Sequence, residues 1–188
     1  MRRLLEIIRV ALSAPIVLMV LKVYIPVLFP LTFLIALTAL KLDKLLGVES
    51  FLPSPANFGI AAISFTVGAL YWVWVYYQLV SEGKGSPSPT AGRTQQLVKT
   101  GIYAYCRNPS IHGKLLGVLA VGFALNSFSF CCILIPALVG VSLIEKVVRQ
   151  EPQLVDIFGE EYLQYQQRVP LFIPWGIIFP SKKWTEPS

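Results

Sequence analysis

LVKTGIYAYCRNPSIHG, residues 97–113, is a polar and basic segment, punctuated by glycine and proline, that lies between two long apolar regions. A second polar stretch, EKVVRQEPQLVDIFGEEYLQYQQRVP at residues 145–170, follows the apolar run that begins after Lys114. Most of the remaining chain is apolar. These two segments therefore contain most of the side chains that can carry chemistry or bind a polar ligand.

The composition predicts an integral membrane protein. Of the 188 residues, 55% are hydrophobic and 14% are charged, and the mean hydropathy is +0.64, whereas soluble domains carry about 25% charged residues. The apolar residues form long uncharged blocks instead of a stripe along one helix face. The net charge of +6 comes from Lys and Arg at the ends of these blocks, where such residues meet lipid headgroups. We therefore expect membrane lipids as partners and no nucleic acid.

Cysteine and histidine usage argues against two common kinds of site. Cys106, Cys131 and Cys132 are too few and too badly placed for a disulfide framework. His112 is the single histidine of the sequence and has no Cys or His partner at ligand spacing, so we expect no metal. The sequence also lacks the glycine-rich nucleotide loops and the G-x-S-x-G elbow of serine hydrolases.

The apolar blocks predict an all-α fold, a polytopic integral membrane helical bundle with four to five transmembrane helices joined by cytosolic loops and short helices. Residues 58–79 form one span, whereas residues 114–125 and 130–148 form a helical hairpin that turns at residues 126–129, NSFS. The hairpin returns the chain to the side that it left, so both polar segments face the same compartment.

The block that precedes these spans is ambiguous. It contains Pro15, Pro26 and Pro30 and is either one kinked helix or two spans at residues 4–21 and 25–42. The segment that follows, residues 41–59, is predicted to be a loop. Residues 81–96 are rich in Gly, Ser and Pro and are predicted to form another loop. This loop and the segment after it carry more positive than negative charges, which predicts that the loop lies in the cytoplasm.

Residues 107–109 and 150–152 lie at the two ends of the predicted hairpin. A guanidinium from Arg107 and an amide from Asn108 can take a carboxylate, while Glu151 can take an ammonium or a sulfonium. This is the charge pattern of S-adenosylmethionine. The alternative is a membrane-interface cluster in which Arg107 and Glu151 merely neutralise each other. Nearby, Tyr162 and Tyr165 lie on an apolar stripe that is more typical of a core than of a site.

The two polar segments resemble the isoprenylcysteine carboxyl methyltransferase family, in a short prokaryotic-type form. The family pattern is approximately L-V-x-x-G-x-Y-x-x-x-R-H-P-x-Y-x-G, then a hairpin, then E-E-x-x-L-x-x-x-F-G-x-x-Y-x-x-Y-x-x-x-V-P. The match covers residues 95–170 in order and spacing. The same core is similar to that of membrane phospholipid methyltransferases. The resemblance implies that residues 1–80 are N-terminal transmembrane helices and residues 81–188 the methyltransferase core.

The resemblance also implies a cofactor, S-adenosylmethionine, and the residues that hold it. These are Gln95, Gln96, Leu97, Val98, Tyr103, Asn108, Pro109, Ser110, Ile111, Gln150 and Glu151. The chain has Asn108 where the family usually has His, Ile111 where it has Tyr, and Gln150 where it has the first Glu. Arg107 is expected to act in catalysis, and the family's substrate-facing arginine falls near Lys146, with Arg149 as a rival.

The activity that the resemblance implies is carboxyl methyl esterification of a prenylated cysteine or a similar lipophilic carboxylate. A carboxylate is already a nucleophile at neutral pH, so the reaction needs alignment and loss of water but no general base. The lipophilic substrate is expected to enter from the bilayer, and the active site of this multi-pass cell-membrane protein to face the cytoplasm. Two alternatives stay open, methylation of a phospholipid amine or another small lipophilic nucleophile, and a non-catalytic membrane protein.

Overall fold

A computed structural model describes residues 26, 29–48, 50–83 and 95–173, and within these ranges all regular structure is helical. Its bounds are α1 Phe29–Leu46, α2 Ala56–Gly83, a 3₁₀ turn at Gly101–Ala104, α3 Ser110–Ala124, α4 Ile135–Glu145, α5 Glu151–Phe158 and α6 Glu160–Arg168, with π-helical turns at Phe130–Leu134 and Lys146–Gln150. The predicted all-helical fold is therefore confirmed for the described residues.

The predicted helical hairpin is present, and its turn lies where the sequence places it. α3 ends at Ala124, and Asn126 adopts a left-handed conformation with φ of 52°. A helical stretch then runs from Phe130 to Phe158 without a break, through both π-turns. The helix bounds differ from the prediction at α1, which runs on to Leu46 although residues 41–46 were expected to be loop, and ends where Gly47 takes φ of 70°.

Each π-turn precedes a proline by two residues. The turn at Phe130–Leu134 is followed by Pro136, and the turn at Lys146–Gln150 by Pro152. A proline inside a helix cannot donate to the carbonyl four residues earlier, and its ring clashes with that carbonyl. A wider turn before the proline relieves this conflict, which is why one long helix accommodates both prolines.

The helical chain divides into two compact units, and both α2 and the helix Phe130–Phe158 pass from one unit into the other. The first unit contains the described residues up to Val73 together with His112–Gly140. Its apolar core includes Ala36 and Ala39 of α1 and Phe130 and Ile135 of the hairpin. α2 and α3 approach closely in this unit, since a Cβ added at Gly113 would lie 2.9 Å from the Cβ of Trp72.

A buried carboxylate ties α1 to the hairpin in the first unit. Asp43 accepts hydrogen bonds from the Ser127 hydroxyl and, at 2.8 Å, from the Ser129 backbone N–H, at the N-terminal end of the hairpin's second helix. An anion at this end of a helix is favourable because it satisfies free N–H groups. In the same unit, Asn57 near the start of α2 donates from Nδ2 to the Phe123 and Ala124 carbonyls, each at 3.4 Å, at the end of α3.

The second unit contains Trp74–Ile111 and the described residues from Val141 onwards. Its core is formed by Tyr162, Tyr165 and Val169, against which Leu97 and Phe158 pack. The expected apolar stripe of Tyr162 and Tyr165 is therefore buried, on α6. The division of the chain by function at residue 80 stays a prediction.

Within the described residues, two helices are long and apolar enough to cross a membrane, Ala56–Gly83 and Phe130–Phe158. Large apolar side chains on both point away from protein, including Phe65, Leu70, Val141 and Ile144. Exposed apolar faces of this kind are stable in lipid and not in water. The chain is accordingly a membrane protein. The expected span at residues 4–21 lies outside the described residues, as does the start of the one at residues 25–42.

Candidate functional site

The loop that carries Arg107 is held at its start by Gln78 of α2. The buried Gln78 amide donates to the Thr100 carbonyl at 3.0 Å and accepts from the Ile102 N–H at 3.4 Å, and the Thr100 hydroxyl donates to the Glu82 carboxylate. Gly101, between them, has φ of 56°, and a Cβ there would lie 1.8 Å from Gln78 Nε2. Only glycine fits this position, so residues 100–102 are held against α2 in one defined conformation.

The same loop is held at its other end by the segment that follows α6. The Arg107 backbone N–H donates to the Pro170 carbonyl at 2.9 Å, and the buried Cys106 thiol donates to the Phe172 carbonyl at 3.0 Å. Two consecutive residues of the loop are thus fixed by main-chain carbonyls about 65 residues further along the chain. The backbone of Arg107 is therefore held in place independently of the contacts that its side chain makes.

The Arg107 guanidinium and the Glu151 carboxylate form a buried ion pair, in which Arg107 Nη1 donates to Glu151 Oε1. The two side chains are only 11% and 7% exposed. Glu151 also accepts from Gln166 Nε2 on Oε2 at 2.7 Å and from the Tyr162 hydroxyl on Oε1 at 3.5 Å. Both oxygens of this buried carboxylate are therefore hydrogen-bonded, as a charge in such a position requires.

The thiol and phenol groups around the Arg107–Glu151 pair stay protonated at neutral pH. Burial raises the pKa of the Cys106 thiol to about 11. Burial also raises the pKa of the Tyr162 phenol to about 12, and the negative charge of Glu151 adds to that shift. Burial likewise raises the pKa of the Tyr165 phenol above its ordinary value. The Tyr165 hydroxyl donates to the Tyr103 carbonyl at 2.6 Å.

The residues expected to hold the cofactor differ in their exposure. Val98, Tyr103, Pro109 and Ile111 are buried, Leu97, Asn108, Ser110 and Gln150 are half-buried, and Gln95 and Gln96 are exposed. The backbone N–H groups of Gln95 and Gln96 donate to the Gly83 carbonyl at 2.9 and 3.2 Å, at the end of α2. Among the described residues, Glu151 receives its side-chain hydrogen bonds from Arg107, Tyr162 and Gln166, and none from Asn108.

The two cations proposed to face the substrate lie on the π-turn before Glu151. The Glu151 backbone N–H donates to the Lys146 carbonyl, so Lys146 lies one wide turn before the buried carboxylate. The Lys146 side chain is 14% exposed, and its ammonium lies 3.4 Å from the Glu145 carboxylate, whereas Arg149 is exposed. Their roles stay predictions.

One nitrogen of the ion pair lacks a hydrogen-bond acceptor among the described residues. Arg107 Nε is buried, and nothing in the described part of the chain accepts a hydrogen bond from it. A buried guanidinium nitrogen without an acceptor is costly, and a carboxylate is the acceptor that guanidinium binds best. A zwitterionic methyl donor would supply a carboxylate to Arg107 and an ammonium to Glu151. The residues present therefore fit the amino-acid end of S-adenosylmethionine.

Sequence reasoning missed three members of this network. Tyr162 was assigned to the core alone, although its hydroxyl reaches Glu151, and Gln166 and Gln78 were not singled out. A sequence signal existed for Gln166, because it follows Tyr162 by four residues and so lies on the same helix face. No comparable signal existed for Gln78, whose partners Thr100 and Ile102 are more than twenty residues away.

Metal ligands do not cluster in the part of the chain that the structure describes. No group of three or more His, Cys, Asp or Glu side chains there has the geometry to hold an ion. His112 instead packs edge-on against the ring of Tyr71, with centroids 6.1 Å apart.

Comparison with known proteins gives one family match. The model of the phospholipid methyltransferase family matches residues 56–161, which is more than half of the chain and includes Arg107 and Glu151. No solved structure matches the chain.

Curated relatives are similar over part of their length. Protein-S-isoprenylcysteine O-methyltransferase of Mus musculus is 33% identical over 82 residues, which are 44% of this chain and 29% of that protein. Methanethiol S-methyltransferase 1 of Bradyrhizobium diazoefficiens is 31% identical over 74 residues, 39% of this chain and 25% of that protein. Cobalt-zinc-cadmium resistance protein CzcN of Cupriavidus metallidurans is 30% identical over 142 residues, 69% of this chain and 65% of that protein. The chain thus spans about a quarter to two thirds of these relatives.

Proposed function

Since the chain belongs to the phospholipid methyltransferase family, we propose that it is an S-adenosylmethionine-dependent methyltransferase that esterifies the carboxylate of a prenylated cysteine or of a similar lipophilic acid. The observation that carries the proposal is the buried Arg107–Glu151 pair, inside the region that the family model matches, in which Arg107 Nε has no acceptor among the residues that the structure describes. The similarity to protein-S-isoprenylcysteine O-methyltransferase supports the choice of an oxygen of a prenylated cysteine as acceptor.

The protein's own contribution begins with two opposite charges held in a fixed place. Arg107 is set by its backbone bond to Pro170, and Glu151 by its three side-chain donors. A zwitterionic amino-acid group matches this pair, with its carboxylate at Arg107 and its ammonium at Glu151. The other residues that we propose to line the donor site are Gln95, Gln96, Leu97, Val98, Tyr103, Asn108, Pro109, Ser110, Ile111 and Gln150.

When bound, S-adenosylmethionine supplies a methyl group already activated by its sulfonium charge. The methyl group would pass to an oxygen of the acceptor carboxylate with S-adenosylhomocysteine as the leaving group, and no proton would be lost or gained. The protein's residues therefore need to orient the two reactants and exclude water, which supplies roughly 7 to 11 kcal/mol when the alignment is good. We assign the fixing of the acceptor carboxylate to Lys146, whose side chain is largely buried, with Arg149 as the alternative.

The membrane supplies the acceptor. We propose a multi-pass protein of the cell membrane with four to five spans, an N-terminal helical part at residues 1–80 and a methyltransferase core at residues 81–188. The charged loops face the cytoplasm, from which the water-soluble donor enters, and the apolar chain of the acceptor enters from the bilayer.

Binding of the reaction product tests the proposal first. Isothermal titration of the purified, folded protein in detergent with S-adenosylhomocysteine should show binding, and Arg107→Ala should abolish it. Arg168→Ala, which removes an exposed arginine of α6, is the matched control and should bind as the unmodified protein does. Absence of binding by the folded protein would remove the basis of the assignment.

Methyl transfer identifies the acceptor. Labelled S-adenosylmethionine and a small prenylcysteine should give a base-labile product, as expected of a methyl ester. A stable product, or none, would count against carboxylate methylation.

The description of the matching family, phospholipid methyltransferase, favours a second candidate, N-methylation of a phospholipid amine or another small lipophilic nucleophile. An amine has to lose a proton before it can attack, so its methylation rate should climb with pH through the amine pKa. Methylation of a carboxylate should not change over the same range. The pH–rate profile with each acceptor therefore separates the two candidates.

A further inference from the structure

Gln166 of α6 donates to the Glu151 oxygen that faces away from Arg107. Its Nε2 lies 2.7 Å from Glu151 Oε2, whereas Arg107 and the more distant Tyr162 hydroxyl both donate to Oε1. The carboxylate therefore has two independently held oxygens. A change at one of them need not release the other.

Binding of the proposed methyl donor would affect Glu151 Oε1, the oxygen that accepts from Arg107. If the proposed function is correct, the donor's carboxylate takes Arg107 Nε and shares the charge of this guanidinium with Glu151 Oε1, which accepts from another of its nitrogens. The contact between Glu151 and Arg107 is then weakened at the moment when Glu151 has to accept an ammonium. The Tyr162 bond, at 3.5 Å, is at the limit of a hydrogen bond and is a weak substitute.

We infer that Gln166 is the positioning residue that keeps Glu151 in place while Arg107 is shared with the methyl donor. This inference rests on the proposed function. An amide suits the task because it donates a hydrogen bond without adding a charge, so Glu151 keeps its full attraction for the donor ammonium. Gln166 is half-buried and lies on the same face of α6 as Tyr162, whose ring is in the core of the second unit, so its backbone is firmly anchored.

Three substitutions at this position distinguish positioning from packing. Gln166→Leu keeps the bulk of the side chain and removes the donor. Gln166→Glu replaces the donor by a second carboxylate and should be worse than Gln166→Leu. Gln166→Lys retains an N–H donor that can reach Glu151. The matched control is Gln167→Leu, the same change at an exposed neighbouring position of α6.

The measurement is the dissociation constant for S-adenosylhomocysteine, by isothermal titration of the full chain in detergent, together with the melting temperature of each variant. Loss of a hydrogen bond to a buried charged group weakens binding by about ten- to a hundredfold. We expect that loss for Gln166→Leu, a larger one for Gln166→Glu, and a smaller one for Gln166→Lys, which keeps a donor but adds a positive charge beside Glu151. The dissociation constant of Gln167→Leu should stay within about threefold of that of the unmodified protein. Methyl-transfer kinetics should show the effect of Gln166→Leu in the KM for the donor and not in the KM for the acceptor.

The outcomes separate this inference from the proposed function. Binding by the unmodified protein and equal binding by Gln166→Leu would overturn the role of Gln166 and leave the proposed function intact. Equal losses in Gln166→Leu, Gln166→Glu and Gln166→Lys, in step with lowered melting temperatures, would show that the side chain only packs, and this too overturns the inference. No binding by the unmodified protein would overturn both.

Discussion

The substitution Gly101→Ala adds a methyl group where the structure leaves no space for one. The new Cβ would lie 1.8 Å from Gln78 Nε2, and Gly101 has φ of 56°. The Gln78 amide can move away only by giving up its bonds to the Thr100 carbonyl at 3.0 Å and the Ile102 N–H at 3.4 Å. The substitution therefore acts through backbone strain and through lost hydrogen bonds.

The magnitude follows from these two contributions. A residue with a Cβ in the left-handed region costs about 1 to 2 kcal/mol, and each lost hydrogen bond costs about 1 kcal/mol. The total destabilisation by Gly101→Ala is about 3 to 4 kcal/mol. For a protein of this size, each kcal/mol corresponds to roughly 2 to 4 °C of melting temperature. We expect a decrease of about 6 to 16 °C.

The assay is intrinsic tryptophan fluorescence during heating of the detergent-solubilised protein. Gly47→Ala is the matched control, because Gly47 also has a positive φ, 70°, yet nothing lies within 4 Å of an added Cβ. It should show the strain alone, about 1 to 2 kcal/mol. In the double variant Gly101→Ala, Gln78→Ala the hydrogen bonds are lost once instead of twice, so its destabilisation should fall about 2 kcal/mol short of the sum of the two single effects.

Two results would refute this reasoning. Gly101→Ala and Gly47→Ala could destabilise the protein equally, which would mean that Gln78 does not occupy the space beside Gly101. Alternatively, the two single effects could add in the double variant, which would mean that the clash and the hydrogen bonds are unrelated.

Three further predictions concern stability, measured in each case as melting temperature in detergent. Asp43→Ala should destabilise the protein by about 3 to 5 kcal/mol, because it removes the buried acceptor of the Ser129 N–H and of a serine hydroxyl. Gly113→Ala should lower the melting temperature and Gly117→Ala should not, since an added Cβ meets Trp72 only at Gly113. Burial raises the pKa of the Cys106 thiol to about 11, from 9.0 in the unfolded chain. The stability that this shift contributes, about 2 to 3 kcal/mol, is complete below pH 9 and is lost as pH rises through 11. Cys106→Ala should therefore lose less stability between pH 9 and 11 than the unmodified protein does.

Each of these predictions has a contrary result. An unchanged melting temperature for Asp43→Ala would show that the carboxylate does not hold the hairpin. Equal effects of Gly113→Ala and Gly117→Ala would contradict a close helix contact at Gly113. Parallel pH profiles for the unmodified protein and Cys106→Ala would show that the thiol ionises equally in the folded and unfolded chain.

The sequence was sufficient for the fold wherever local patterns decide it. The hairpin was predictable because NSFS interrupts an uncharged run, and the helical class because hydrophobic blocks leave few other choices in lipid. The end of α1 was not, because Asp43 and Lys44 look like loop residues until the carboxylate is seen to bond with Ser127 and Ser129 across the fold. The π-turns at Leu134 and Gln150 were also missed, although the prolines two residues later are their physical cause.

The candidate site was predictable in its charges and not in its contacts. Arg107 and Glu151 stand out because ionised side chains are rare in this chain and expensive to bury. The sequence left open whether they would bind a ligand or neutralise each other, and the structure pairs them directly. The hydrogen bonds of Gln78 and Gln166 depend on tertiary packing, which no local pattern encodes.

The wide turn at Lys146–Gln150 changes the rotational phase of a single long helix. One extra residue in the turn moves everything after it by about 100° relative to an uninterrupted α-helix. The stretch Ile135–Glu145 can thus keep the orientation in which its apolar side chains face lipid. The stretch from Glu151 onwards takes the orientation that brings the Glu151 carboxylate to Arg107. The proposed methyltransferase, which would meet a lipid on one side and a charged reactant on the other, needs both orientations, and a proline-linked irregularity lets one continuous helix provide them.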